Sequence, residues 1–586
     1  MFRRFAIHIA APLAWLALLP VLAAAEPARE AMIPQDAILV LDVVQPKPVL
    51  DLATHPKMLE AVTALPAYKK AAEGPKWREF RGGVAFLEAR FGLKWPEALH
   101  KLLDGGVSLS VHPHEGVLVI ADGKDETLLG QLHDVFLGIA RAEASKAGQP
   151  DRVKSKEYQG QTIWTFAPGE THAVIGGRLV LSNRPALLQQ ALDLRAKPGD
   201  TLGTLAAYQA AKKPAAGAVA RAFVNLQVIK QTPDVQKALA KQENPLGALL
   251  FAAVIDALRG ADALGLTLEL HANTLVINAS LDGKPADAPA ASAFALPHEP
   301  GAEALPNLAV PRFIAGLSLY RDLHAFYAAK DQLFPERTSG LIFFENMMGI
   351  FFTGRDLTDE VLAETRPETR IVVAAQKYDA AVGAPRVQLP AFAVVFRASH
   401  PDKIADMTEE AWQKALGLVN FTRGQKAEPG LIIDRETYND VRMTVAYFGK
   451  PGEKEKGQVD TRFNFRPTLA RVGDSVVLSS TDGLAKDLID ALKRETKSDA
   501  ATGATKTWVP HSRLEVDVTQ LAAALQANHE LLVRNTMVEK GETRAQAESE
   551  LDVLIGTLER LGRAKLEFGQ TAGRHEAHLE VPVKLP

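Results

Sequence analysis

Residues 251–270 read FAAVIDALRGADALGLTLEL, and residues 551–570 read LDVLIGTLERLGRAKLEFGQ. In the first stretch Phe251, Val254, Ile255 and Leu258 fall at helical spacing, and a strand begins at Leu266. Leu551, Leu554, Ile555, Leu558 and Leu566 repeat that arrangement 300 residues later without a gap. A helical apolar stripe followed by β alternation is a packing signature. Its recurrence predicts one fold built twice. Such a repeat speaks to architecture and hardly at all to chemistry.

The rest of the chain extends the match. Ala37-Ile38-Leu39-Val40-Leu41 opens the first copy, and Phe313-Ile314-Ala315-Gly316-Leu317 opens the second. Gly82-Gly83-Val84-Ala85-Phe86 leads to Trp95-Pro96-Glu97-Ala98-Leu99, where Pro96 suits the first turn of a helix. Asp104-Gly105-Gly106 ends that helix, and Val107 to Val111 alternates as a strand. The second copy answers with Gly340-Leu341-Ile342-Phe343-Phe344, a helix around Val361-Leu362 and the strand Ile371-Val372-Val373. Val117 to Ile120 feeds the stripe Leu128, Leu132, Val135, Phe136 and Ile139, while Phe392 to Phe396 feeds a helix from Asp402 to Leu418. The clearest hairpin match is Ile175 to Ser182 against Val472 to Ser479, each followed by a short helix.

These matches place copy one at residues 30–284 and copy two at 309–586, with a Pro/Ala-rich linker at 285–308. Strands joined by tight Gly turns are antiparallel neighbours. Long amphipathic helices among them must cover a sheet face. The expected fold is α+β: two pseudo-equivalent domains, each a mainly antiparallel sheet covered by amphipathic helices.

Arg3 and Arg4, the apolar run Phe5 to Leu22, and Ala23-Ala24-Ala25 before Glu26 read as a signal peptide over residues 1–25. The competing reading is a retained membrane anchor. The chain contains no cysteine, which excludes disulfides, thiol nucleophiles and thiolate metal sites. An exported chain without disulfides points to a periplasm or cell envelope, or to the extracellular space. The next most apolar stretch, Pro245 to Leu258, is too short to span a bilayer and carries Asp256. It reads as a core helix.

Lys+Arg total 67 against 70 Asp+Glu, a formal charge of -3 with no basic stripe, which disfavours nucleic acid as a partner. Lys69-Lys70 and Lys454-Glu455-Lys456 read as solvated surface. Aromatic content of 6% disfavours a stacking platform for sugars or single strands.

Four clusters invite a chemical reading. His112-Pro113-His114-Glu115 has zinc-ligand residue types but lies where a turn must join two strands, and copy two has Gln376-Lys377-Tyr378-Asp379 there. His575-Glu576-Ala577-His578 lacks the H-E-x-x-H spacing, and on a strand its histidines face opposite sides. Gly473-Asp474-Ser475-Val476 resembles an esterase block, yet its position suits a hairpin turn. Tyr158-Gln159-Gly160-Gln161 is also a hairpin turn. No nucleophile elbow, P-loop or dinucleotide fingerprint occurs. No catalytic, cofactor or metal residue is assigned.

The overall pattern resembles a group of exported bacterial proteins classed only as a domain of unknown function. It is carried by Trp95-Pro96-Glu97-Ala98-Leu99 with Gly105-Gly106, and by the hairpin and helix from Gly176 to Leu192. The resemblance covers most of the chain after the leader and implies no activity. Copy two departs from it with Leu357-Thr358-Asp359 at the Trp-Pro-Glu position. The sequence therefore leads to a non-catalytic cell-envelope protein with a binding or assembly role, whose partner is a protein or an apolar ligand. The alternatives are a periplasmic carrier of a lipid or other apolar ligand, and a hydrolase whose site leaves no motif.

Overall fold

The computed structural model describes all residues except 1–25, 65–67, 69–71, 213–216, 241–243, 283–292, 300, 336–337, 379–382, 451–458, 499–507, 572–573 and 585–586. The expected leader, Lys69-Lys70, Lys454-Glu455-Lys456, Asp379 and residues 285–292 of the expected linker lie outside the described residues. The chain packs as two compact units. The smaller holds the described residues up to Val40 together with Val107–Gln209, and the larger holds Leu41–Gly106 with Ala210–Pro586. Residues 41–106 and 210–284 of the expected first copy thus pack in the larger unit. The fold class is α+β.

Among the described residues, strand β1 (Leu39–Val43) is followed by the helices Pro46–Thr54, Pro56–Ala64, α1 (Pro75–Phe91) and Trp95–Leu103. Pro46, Pro56, Pro75 and Pro96 all stand in a first turn, where a missing N–H costs nothing. Gly92 closes α1 in the left-handed conformation, at φ 65°.

In the smaller unit, β2 (Gly106–His112) and β3 (Gly116–Asp122) precede α2 (Glu126–Lys146). Then come β4 (Lys154–Tyr158), β5 (Gln161–Thr165), β6 (Thr171–Ile175) and β7 (Arg178–Ser182). Their order in the sheet is β2-β3-β7-β6-β5-β4. The Asp125 carboxylate caps α2 by accepting from Leu128 N at 2.9 Å. Gly177 in the β6–β7 turn is required, because a Cβ there would meet the Gly123 carbonyl at 2.9 Å. The expected stripe on α2 is only partly covered: Leu128 is buried, whereas Phe136 and Ile139 are exposed.

The larger unit continues with β8 (Ala220–Asn225), α3 (Pro245–Gly260), β9 (Ala263–His271), β10 (Thr274–Leu281), β11 (Phe313–Tyr320) and α4 (Thr338–Phe351). Next are β12 (Thr365–Ala374), β13 (Ala391–Ala398), α5 (Pro401–Gln425), β14 (Leu431–Tyr438), β15 (Val441–Phe448), β16 (Thr468–Val472), β17 (Ser475–Ser479) and α6 (Asp482–Ser498). It ends with β18 (Val509–Asp517), α7 (Arg544–Leu558), β19 (Arg563–Thr571) and β20 (Arg574–Pro582). These strands pair antiparallel throughout, in the order β8-β9-β10-β20-β19-β18-β11-β12-β13-β17-β16-β15-β14. The run β12-β13-β17-β16-β15-β14 connects its strands as β2-β3-β7-β6-β5-β4 does. β19 begins and ends 300 residues after β9. β10 pairs with β20 so that Asn278 faces His578, again 300 residues on.

The helix expected around Val361-Leu362 is instead a π turn, Leu357–Val361, followed by the 3-10 turn Leu362–Glu364. Leu357 and Val361 both bury against Tyr327, and the Asp356 carboxylate caps the turn by accepting from Asp359 N at 2.7 Å. Of the expected linker, Phe294, Ala295 and Leu296 pack on Ala252 and Ala253 of α3.

The main core lies where α6 lays Leu484, Leu488, Ile489 and Leu492 on Val372, Val395, Met443 and Val477. Just after β11, the Arg321 guanidinium is buried and donates to the carbonyls of Leu249, Leu250, Ala295, Tyr320 and His511 and to Ser512 Oγ. Burial lowers its pKa to about 10. One side chain thereby ties α3, the linker, β11 and β18 together.

Replacing Leu488 with Ala should lower unfolding stability by about 2–5 kcal/mol, because its buried methyl groups leave a cavity. Phe343→Ala on exposed α4 should change it by less than about 0.5 kcal/mol. Equal losses in denaturant titrations of the two variants would contradict this placement of the core.

Candidate functional site

The residues singled out in the sequence do not assemble into one centre. His575 is buried on β20, while His578 of the same strand donates through Nδ1–H to Asn278 Oδ1 at 2.7 Å. Gly473 turns β16 into β17 at φ 60°, and the Asp474 carboxylate accepts from Arg397 at 2.6 Å. Ser475 opens β17 directly after that hairpin turn. Tyr158 directs its hydroxyl to Asp193 Oδ2 at 2.8 Å. His114 and Glu115 occupy a tight turn with φ 60° and 62°.

His112 belongs to a polar chain that its neighbours in sequence do not reveal. Its Nε2 lies 3.0 Å from Ser110 Oγ, and its Nδ1 lies 3.0 Å from Asp36 Oδ1. Serine, imidazole and carboxylate are thus connected in the order of a hydrolase triad. Ser110 is 0% exposed, however, which seals its hydroxyl from any substrate. β12, the strand matched to β2, buries Arg370, Val372 and Ala374 where β2 buries Ser108, Ser110 and His112. The chain fixes the segment before β1 to β2, and the histidine holds both ends.

A second cluster of the smaller unit joins α2 to the β5–β6 hairpin. His133 Nε2 lies 3.2 Å from His172 Nε2, and His172 Nδ1 donates to Glu170. With that proton on Nδ1, the Nε2 of neutral His172 accepts from His133 Nε2–H. Only one proton fits between the two rings. Trp164 and Phe166 enclose the pair, with ring centroids 5.6 and 5.7 Å from His133, and Arg141 stands over Trp164. Burial, then the neighbouring His172, lowers the His133 pKa. Burial works against ionisation of Glu170, but hydrogen bonds from His172 and the Phe166 N–H hold its pKa below the usual value. No signal marked His133, 39 residues from its partner.

The larger unit carries a cleft of about 480 Å³ between the loop after β12, the end of β15 and the start of α6. Its lining carries Arg312, Lys377, Lys450 and Arg466 against Asp482 and Asp487. Arg312 pairs with Asp487 at 2.9 Å and Arg466 with Asp482 at 3.0 Å, and the Arg466 guanidinium stacks 5.1 Å over Tyr447. Burial raises Asp487, and it pushes Tyr378 up to about 12 while the Tyr378 hydroxyl donates to Asn464 Oδ1 at 2.8 Å. Among the described residues, no three His, Asp or Glu side chains are grouped to hold a metal ion.

The most unusual surfaces are apolar. On α4, Met348 packs with Phe352 against Tyr327, Leu357 and Val361, and Glu345 reaches Lys330 at 3.8 Å. That inward face is ordinary. The outward face is apolar as well: Phe343 is 70% and Ile350 68% exposed, with Ile342, Phe344 and Met347 beside them. A helix apolar all round belongs in an interior. On α1, Phe80 is 59% and Phe86 53% exposed, while Trp77 meets the Tyr68 ring edge-on at 5.2 Å. The stretches Gly82 to Phe86 and Gly340 to Phe344, matched in the sequence, therefore both lie on helices that present large apolar groups to solvent. No described helix is long and apolar enough to cross a membrane.

Residues 87–306 match the family model described as "Protein of unknown function (DUF3352)". No curated protein matches the chain. Among solved structures, crystal forms I, III and IV of TP0453 are similar to it at 9%, 9% and 8% identity, with TM-scores of 0.23, 0.24 and 0.23. They align with 44%, 44% and 43% of this chain and with 80%, 80% and 79% of their own. A likeness of that degree carries no argument about this protein.

The folded His133 pKa lies below its unfolded value, so the stability it contributes is present above that value and is lost as pH falls through the window below it. Thermal unfolding should therefore shift downward between about pH 7 and pH 5. His133→Phe should flatten that slope. An unchanged slope in the variant would contradict the single-proton pair.

Proposed function

We propose that this is an exported protein without a catalytic role, built from two related α+β copies, that docks an apolar partner through helices standing off its sheet. The observation that carries the reading is the outward apolar face of α4 together with the exposed Phe80 and Phe86 of α1. Exposed apolar groups of this size and grouping mark interaction sites in folded proteins. The 300-residue interval from β9 to β19, the facing of Asn278 with His578 and the shared strand order support the doubled architecture. Residues 1–25 support export by their leader pattern. Against a hydrolase stands the sealed Ser110.

Photo-crosslinking residues placed at 80 and 343 in living cells should give adducts, whether with a protein or a lipid. The same residue at Glu143, on the charged face of α2, should give none. Absence of adducts at both apolar positions would remove the reading.

A further inference from the structure

Resting on the docking reading above, we propose that the partner of α1 is a lipid surface carrying anionic headgroups, and that α1 lies along that surface. Trp77, Phe80, Val84, Leu87 and Phe91 follow one another at intervals of three and four residues, so they form a continuous stripe on one side of α1. Trp77 and Phe80 are already in ring contact at 5.3 Å. Trp77 also meets the Tyr68 ring edge-on at 5.2 Å, which leaves Phe80 as the most exposed member of the stripe, at 59%.

Charge selects the occupant. On α1 itself Lys76, Arg78, Arg81 and Arg90 stand against Glu79 and Glu88. From residue 69 to residue 101 the sequence carries eight Lys or Arg against four Glu, inside a chain whose formal charge is -3. A second copy of the chain would bring like-charged α1 helices together, which is unfavourable. An anionic headgroup layer matches them. An aromatic stripe flanked by basic residues is the pattern of helices that lie in the membrane interface without crossing it.

The cysteine-free chain makes the test site-specific. An environment-sensitive fluorophore on Phe80→Cys, and separately on Val84→Cys, should brighten and shift to the blue with vesicles of mixed phosphatidylcholine and phosphatidylglycerol. The response should weaken with added salt and be absent with phosphatidylcholine alone. Adding Arg78→Gln and Arg81→Gln should lower partitioning by about 30-fold, from the usual contribution of each basic residue near an anionic surface. A label at Glu143→Cys should report nothing. An equal response to neutral vesicles overturns the proposal. So does silence with both vesicles; cross-links from residue 80 to a protein would then leave the docking reading standing without its lipid partner.

Discussion

The antiparallel pairing of β10 with β20 is the constraint on which the larger unit depends. Each strand is the last of a three-stranded meander, β8-β9-β10 and β18-β19-β20, and each would otherwise present a row of unpaired N–H and C=O groups. Pairing them removes both edges at once. The register places Asn278 against His578, and their side chains meet at 2.7 Å. A one-residue slip would turn every side chain of β10 to the other face of the sheet. Arg321 reinforces the arrangement from below the ladder by binding carbonyls of α3, the linker and β18. Its six contacts fix the path of three segments that sequence separates widely.

That scaffold explains why the helices between the first strands can be spared from packing. The sheet is completed by strand pairing and by α6 over Val372, Val395 and Val477. Helices α1 and α4 add little to the interior. α4 reaches it through Met348, while Ile342, Phe343, Phe344, Met347 and Ile350 are exposed. An apolar surface that folding does not use is available for binding.

Much of this fold was legible. The stretch 251–270 foretold α3 and β9, and 551–570 foretold α7 and β19, because helical and strand periodicities leave distinct patterns. The turns at Gly176 and Gly473 were equally plain, since both need positive φ. Exposure was not legible. Ile342, Phe343 and Phe344 have the composition of a core, and only tertiary structure reveals that nothing covers them. The polar chains were hidden for a different reason. Ser110, His112 and Asp36 meet only because the segment before β1 folds onto β2. The π turn at Leu357–Val361 was missed because its residues satisfy an ordinary helical pattern.

Hydrogen–deuterium exchange, followed by peptide, tests the central claim most directly. In the free chain α1 should exchange rapidly, whereas β10, β20 and β18 should be strongly protected. With the apolar partner present, α1 should gain protection and the sheet should not change. Slow exchange of α1 in the free chain, or protection that appears in the sheet and not in the helix, would contradict the account.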